Sequence, residues 1–358
     1  MKILQVTSSS YTMGRGESEY VRNISERLAR RHEVTVFATD SHGKLPKHEI
    51  INGVKVERFR SFAPDETFNF SWELLLRLRK TQTDVLHGHN YHSFPFHVAH
   101  LARHKKLLVS PLFHGAGHTS LTDSLLKLFK LFIRSRTLKK ADLVLAASEH
   151  EKLLLLQHFG LEADKVTVIP RGVDLSEFTN LERQKTSSKS VLYVGRLVAY
   201  KGVQYLVEAL PKLPSGVILE IVGKGPLKKT LVERAKKLNV LDRIRFSQDL
   251  ERRDLLQMYV NADVFALPSR YEAYSKVVAE ALTAGTPCIV ADISALKEWV
   301  DNESCFGVKF PINIDELSDL LERVLEANID SHRMKKWIGT KIIDWNEVVA
   351  KLEAIYDQ

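Results

Sequence analysis

NADVFALPSRYEAYSKVVAEALTAGTPCIVAD, residues 261–292, holds an apolar run, a polar loop with a glutamate, a helical apolar pattern and a second apolar run. Asp263–Leu267 and Pro287–Ala291 read as strands, since each is short, rich in small or branched apolar residues and bounded by turn residues. Between them the apolar positions recur at helical spacing. Strand, crossover helix and strand in that order form the unit from which parallel sheets are built.

The alternation continues on both sides. In the first half, strands are expected near Ile3–Thr7, Glu33–Ala38, Val54–Phe59, Asp84–His89, Leu107–Leu112, Asp142–Ala147 and Val166–Ile169, with helices in most gaps. In the second half they are expected near Val191–Gly195, Val217–Val222, Ile244–Ser247 and Gly307–Phe310 besides the two above. The polar stretch Thr179–Ser190 has no apolar periodicity and reads as a linker. This predicts an α/β chain of two Rossmann-like domains in tandem. Ligands of open parallel sheets bind beyond the carboxyl ends of the strands, so an interdomain cleft is the expected place for chemistry.

Composition narrows the class. The chain has 358 residues, 44% apolar and 27% charged, as in ordinary globular proteins. The apolar runs Leu143–Ala147 and Leu153–Leu156 fall far short of the ~18 residues of a membrane span. The amino terminus enters a strand pattern without a secretory leader, so a cytoplasmic location is expected. Cys288 and Cys305 form no CxxC pair, which leaves neither a disulfide framework nor a cysteine zinc site and makes both expected core residues. Net charge is +8 and all of it lies in the first half: residues 1–170 hold 25 Lys and Arg against 17 Asp and Glu. Residues 101–140 alone hold nine basic side chains against Asp123. Such a run is either a solvated helix face or a dock for something anionic.

Four segments carry candidate chemistry. The loop TSSSYTMGRG, Thr7–Gly16, precedes a helix and offers Gly14 and Gly16 for close backbone approach to an anion. A dinucleotide fingerprint would need a third glycine where Glu19 stands, and its acidic ribose ligand has only Asp40 as a candidate, which argues against a dehydrogenase. VGRLVAYKG places Arg196 and Lys201 just past a strand, with Gly195 and Gly202 leaving room for a diphosphate. VGKGP, with Gly223 and Gly225, follows the next strand and suggests a second stretch of backbone beside the same ligand. Glu272 and Glu280 stand eight apart; on a helix beginning soon after Glu272 they would project along one side, suited to the vicinal hydroxyls of a sugar and a ribose. Glu280 could equally be a helix surface residue. No two aspartates stand two apart, so an Asp-x-Asp metal site is absent.

Taken together, these segments resemble glycosyltransferase family 4, retaining transferases of GT-B architecture that use nucleotide-sugar donors. GRLVAYKG is similar to the family's G-R-x-x-x-x-K-G segment, Glu272 and Glu280 to its E-x7-E pair, VTVIPRGVDLSEF (Val166–Phe178) to its domain junction, and Trp345 with the following helix to the segment that crosses back onto the first domain. The resemblance covers nearly the whole chain. It implies a GT-B fold with two domains facing each other across a cleft: an acceptor-binding domain of residues 1–172 plus about 342–358, and a donor-binding domain of residues 173–341. Arg196 and Lys201 would hold the diphosphate and stabilise the leaving phosphate, as a metal does elsewhere. Glu280 would bind the ribose, Glu272 would sit by the transferred sugar, and the amides of Ala273, Tyr274 and Ser275 would line its pocket. His114 matches the active-site histidine, and Gly14 and Gly16 match the loop over the phosphates. No metal or other cofactor is implied; the donor would be a UDP- or GDP-sugar and the acceptor a glycan or lipid-linked hydroxyl.

The departures bear on specificity. EAYS replaces the commoner E-G-F-G, adding side chains where the donor sugar should lie; Arg15 adds a charge to the first loop; Arg171 stands where asparagine is usual; and the paired glycines usual around Ser294–Glu298 are missing. His87, His89, His92, His97, His100 and His104 crowd one region, but without an HExxH motif or a cysteine partner a zinc site has little support, and His87 and His89 are expected to end a strand facing the cleft. SLLKLFKLFIRSRTLKK, Ser124–Lys140, carries Lys127, Lys130 and Arg134 on a helical pattern with an apolar stripe; it reads as core with a basic edge, or as a peripheral contact with the anionic cytoplasmic face of a membrane. A nucleic-acid partner is not indicated. Rival functions are a non-catalytic nucleotide-sugar-binding subunit and a GT-B epimerase or phosphorylase.

Overall fold

The computed structural model describes residues 1–12, 16–63, 68–115, 136–184, 188–327, 329 and 331–358. The chain divides into two compact units, Met1–Gly172 together with Trp345–Gln358, and Val173–Asp344.

The first unit is built on β1 (Lys2–Val6), β2 (Glu33–Asp40), β3 (His48–Ile51), β4 (Val54–Arg60), β5 (Val85–His89), β6 (Lys106–Ser110), β7 (Leu143–Ala146) and β8 (Val166–Val168), in the order β3-β4-β2-β1-β5-β6-β7-β8. All pairs are parallel except β3–β4. Strand order reverses between β1 and β5, which marks a switch point for ligand binding. β3 was not expected from the strand pattern. Asn52 and Gly53, both at positive φ (47° and 84°), form the two-residue connection that turns β3 into β4.

The helix Trp345–Tyr356 belongs to this unit and packs on the helix Glu17–Leu28. Trp345, Val348, Val349, Leu352 and Tyr356 form its buried stripe. Glu353 accepts hydrogen bonds from Arg31 (2.5 Å) and His32 Nε2 (3.0 Å), and Tyr356 reaches His87 Nδ1 at 3.3 Å. At Gly172 any Cβ would lie 2.7 Å from the Trp345 ring and 2.9 Å from its Cα, so only glycine permits this approach.

The second unit holds β9 (Ser190–Val194), β10 (Ile218–Val222), β11 (Ile244–Ser247), β12 (Val264–Leu267), β13 (Cys288–Ala291) and β14 (Cys305–Val308), all parallel, in the order β11-β10-β9-β12-β13-β14. This is Rossmann strand order, with the switch point between β9 and β12. The last strand begins two residues earlier than the pattern indicated, which sets Cys305 beside Cys288 in register; both thiols are free and buried.

Two expectations need correction here. Thr179–Ser190 is no interdomain linker. It lies inside the second unit, tied by Arg183 to Asp263 (2.5 Å), by Gln184 N to Asn261 Oδ1 (3.0 Å) and by Gln257 to the Glu182 carbonyl (2.8 Å). Its polarity reflects exposure, while the backbone is held at Glu182 and Gln184; residues 185–187 lie outside the described residues. His87 and His89 do not face a cleft: both are fully buried beneath the two packed helices, His87 Nε2 on Ser110 Oγ (2.8 Å) and His89 Nε2 on Gln5 Oε1 (2.7 Å). Of the basic stretch 124–140, the part up to residue 135 lies outside the described residues, and Arg136–Lys140 forms one short helix. No helix among the described residues is long and apolar enough to cross a membrane.

Candidate active site

In the second unit the site grows from the loops after β9, β10 and β12. Arg196 leaves the end of β9, and the hydroxyl of buried Tyr193 donates to the Arg196 carbonyl at 2.9 Å. Arg196 is exposed and its guanidinium meets the Tyr200 hydroxyl. The same aromatic ring has the Arg196 guanidinium 5.8 Å and the Lys201 ammonium 5.7 Å from its centre, so its quadrupole offsets the repulsion between two neighbouring cations. Gly202, at φ +77°, sits where a Cβ would be 2.1 Å from the Pro268 carbonyl oxygen. That approach, with Arg270 N donating to the Tyr200 carbonyl at 2.7 Å, brings the β9 loop against the β12 loop. Lys201 Nζ consequently lies 2.5 Å from Glu272 Oε1, both side chains largely buried.

Gly223 and Gly225 serve the seam between two loops. Cβ atoms there would lie 1.9 Å from the Gly195 carbonyl oxygen and 2.3 Å from that of Leu197. Leu197 N donates to the Lys224 carbonyl at 2.7 Å and Leu227 N to that of Leu197 at 3.0 Å. The β10 loop is therefore the backing on which the Arg196 loop rests.

The helix after β12 begins at Lys276, so Glu272 stands in the loop and Glu280 in the helix, as the sequence pattern indicated. Each carboxylate has its own cations. Glu280 is 3% exposed and meets Lys276 Nζ at 2.9 Å and Arg252 Nη1 at 2.6 Å. Burial alone would raise its pKa, but the Lys276 ammonium and then the Arg252 guanidinium hold it below the ordinary carboxylate value. The surface-residue reading of Glu280 is thereby excluded.

EAYS also differs from expectation. Tyr274 is buried, its ring 5.3 Å from Trp299 in a T-shaped pair and its carbonyl accepting from Trp299 Nε1 at 2.7 Å, so it anchors the loop in the core. Ser275 takes φ +77°, a conformation that favours glycine and strains other residues. Ala273 lies between them, partly exposed.

In the first unit, His114 follows β6 and its ring stacks on His92, 5.0 Å between centres. The amide just before it, Phe113 N, donates to Glu151 Oε1 at 2.6 Å, and Ala147 N donates to Oε2 at 2.8 Å. Glu151 is fully buried; burial pushes its carboxyl up to about 7 against the pull of both amides and of Arg171. The β1 loop closes on Glu17, which accepts from Thr7, from Ser8 N (3.0 Å) and Ser8 Oγ (2.8 Å) and from Asn90 (2.7 Å). Gly16, at φ +60°, gives its carbonyl to Arg171 Nη1 at 3.1 Å; Gly14 and Arg15 lie outside the described residues. Asp40 accepts from three backbone amides of its own loop, those of His42, Gly43 and Leu45, so it is committed locally. Among the described residues no group of three His, Cys, Asp or Glu is arranged to hold a metal ion.

Sequence reasoning missed Arg252, Glu151, Tyr200 and Trp299. The i,i+4 pair Lys276–Glu280 and the Ser148-x-x-Glu151 capping pattern were readable locally; Arg252 lies 28 residues from Glu280 and is brought there only by the fold.

Comparison with known proteins defines the class. The family profile described as Glycosyltransferase Family 4 matches residues 14–177, and that described as Glycosyl transferases group 1 matches residues 177–338. The chain belongs to glycosyltransferase family 4 and is a glycosyltransferase of GT-B fold. It is 28% identical to a glycogen synthase of Mycobacterium tuberculosis over 95% of this chain and 90% of that protein. It is 24% identical to the MMP alpha-(1->4)-mannosyltransferase of Mycolicibacterium hassiacum over 100% of this chain and 98% of that one. Among solved structures, the sucrose-phosphate synthase of Thermosynechococcus elongatus superposes with a TM-score of 0.81 at 20% identity, covering 100% and 98% of the two chains. HepE of Anabaena in complex with UDP and glucose gives 0.77 at 18% identity, covering 100% and 99%.

Proposed function

We propose that the chain moves a hexose from a UDP- or GDP-sugar to a hydroxyl of a glycan or lipid-linked acceptor, with retention at the anomeric carbon and without a metal. The observation that carries this reading is the Lys201–Glu272 pair beside Arg196 at the β9/β12 switch point. Preorganised cations there meet the charge that develops on a departing diphosphate. In this reading Arg196 and Lys201 hold that diphosphate. Lys201 exchanges its ion pair for a phosphate oxygen and frees Glu272 to accept from the sugar hydroxyls, beside the amides of Ala273, Tyr274 and Ser275. Glu280 accepts from the ribose. The donor's β-phosphate oxygen takes the acceptor proton, and no protein nucleophile is needed. His114 and Gly16 belong to the first unit, and their roles in this reading come from the family resemblance. The UDP and glucose named with HepE and the hexosyl transfers named for the relatives favour such a donor.

A thermal-shift screen against UDP, GDP, ADP and their sugar conjugates, with and without EDTA, tests the reading. A rise in midpoint with one base class, retained in EDTA and lost in Arg196→Ala and Glu280→Ala, is the expected outcome. No shift at millimolar concentration of any of them would count against the donor assignment, and a shift lost in EDTA against the metal-independent route.

A further inference from the structure

The donor site described above leaves one charged side chain without a role. Arg252 opens the helix Arg252–Asn261, 28 residues from Glu280 in sequence, yet its guanidinium spans two carboxylates: Nη1 on Glu280 Oε1 at 2.6 Å, and Nη2 and Nε on Glu177 Oε2 at 2.6 and 3.0 Å. Glu177 sits in the turn Leu175–Phe178, just inside the second unit.

We infer that Arg252 is the positioning residue of the ribose subsite, fixing the plane of the Glu280 carboxylate in which it meets the ribose hydroxyls of a nucleoside diphosphate. The inference rests on the assignment of Glu280 to the ribose. A buried carboxylate must be compensated, and two cations do so here, but they differ in what they fix. Lys276 lies one turn before Glu280 on the same helix and contributes a point charge on a flexible stem. Arg252 comes from a different helix, and its planar guanidinium is itself fixed from the other side by two bonds to Glu177, so it sets an orientation as well as a charge. Both cations converge on Oε1, which leaves Oε2 outside the two ion pairs. With Arg252 removed, Lys276 can still neutralise Glu280, and the buried Tyr259 hydroxyl stays beside its carboxylate, but the charged, planar partner that Glu177 holds in place is gone.

The test compares affinities for the ribonucleoside diphosphate that gives the largest thermal shift among UDP, GDP and ADP, and for its 2′,3′-dideoxy form, by calorimetry on the full chain. A charge-assisted hydrogen bond corresponds to a preference for the ribo form of about 10- to 100-fold. The preference should vanish in Glu280→Ala, fall to nearly the same value in Arg252→Gln and be intermediate in Arg252→Lys, while affinity for the dideoxy form stays within about threefold of wild type in both Arg252 variants. A purely structural Arg252 would weaken both ligands alike and lower the melting midpoint. A wild-type preference retained in Arg252→Gln, or in Arg252→Lys if the glutamine variant does not fold, overturns the inference while leaving Glu280 as the ribose ligand. A wild-type chain that binds both forms equally, or neither, overturns the ribose assignment and this inference together.

Discussion

Glu151 and His87 titrate in opposite senses within the first unit. Glu151, held at about 7 against an ordinary 4.5, favours the fold below pH 4.5 and loses that contribution as the pH rises to 7. Burial holds His87 at about 3 against an ordinary 6.5, so it favours the fold above pH 6.5 and loses that contribution as the pH falls towards 3. Between pH 4.5 and 6.5 the two slopes, each ~1.4 kcal/mol per pH unit, oppose one another. Glu151→Gln removes one of them. Its stability should therefore climb more steeply than that of the wild type across that window, by about 1–3 kcal/mol in all. Urea midpoints at three pH values check this, and parallel curves would exclude Glu151 as the compensating group. At this scale the sequence was informative where the signal is local: the spacing of Arg196, Lys201, Glu272 and Glu280 marks them as candidates, and the structure joins Lys201 to Glu272. It was silent on Arg252 and on the Phe113 amide that Glu151 holds, because those partners meet only through the tertiary fold.

The loops after β9 and β10 behave as one element because glycine lets their backbones touch. In Gly223→Ala the new Cβ would stand 1.9 Å from the Gly195 carbonyl oxygen, so the Arg196 loop must move. We expect a loss of about 1–3 kcal/mol in stability and of most nucleotide affinity. Gly216→Ala, where nothing lies within 4 Å, serves as the control and should change neither. Equal effects of the two substitutions in melting and binding assays would refute the close-approach argument. Element existence was largely legible, since runs buried on both faces carry a strong apolar signal. The errors arose where that signal is weak: β3 is an edge strand whose four residues are alternately exposed and half-buried, and only the Asn52-Gly53 pair announced it. The polar stretch 179–190 misled because composition reports exposure and says nothing about backbone hydrogen bonds.

For the whole molecule, the carboxyl-terminal helix decides whether the first unit stands. Deleting residues 345–358 uncovers the partners of Trp345, Val348, Val349, Leu352 and Tyr356. Burying a large apolar side chain is worth about 1.5–3 kcal/mol, so their sum reaches the ~5–15 kcal/mol that holds a typical domain. The truncated chain should lose the first unit while the second survives as a protease-resistant fragment near residues 173–344. Limited proteolysis with mass spectrometry reads this directly, and survival of both units would show that the helix is dispensable.

The path of the chain has one more consequence. Gly172 lies against Trp345, and Val173 N donates to the Ile343 carbonyl at 3.0 Å, so the points at which the chain leaves and re-enters the first unit are neighbours. The second unit is thus a single continuous stretch of the chain, Val173–Asp344, with adjoining ends. Recombination between related genes at those two points would exchange the second unit as a block and leave the first whole, a route by which new combinations of the two units can arise without passing through a broken protein.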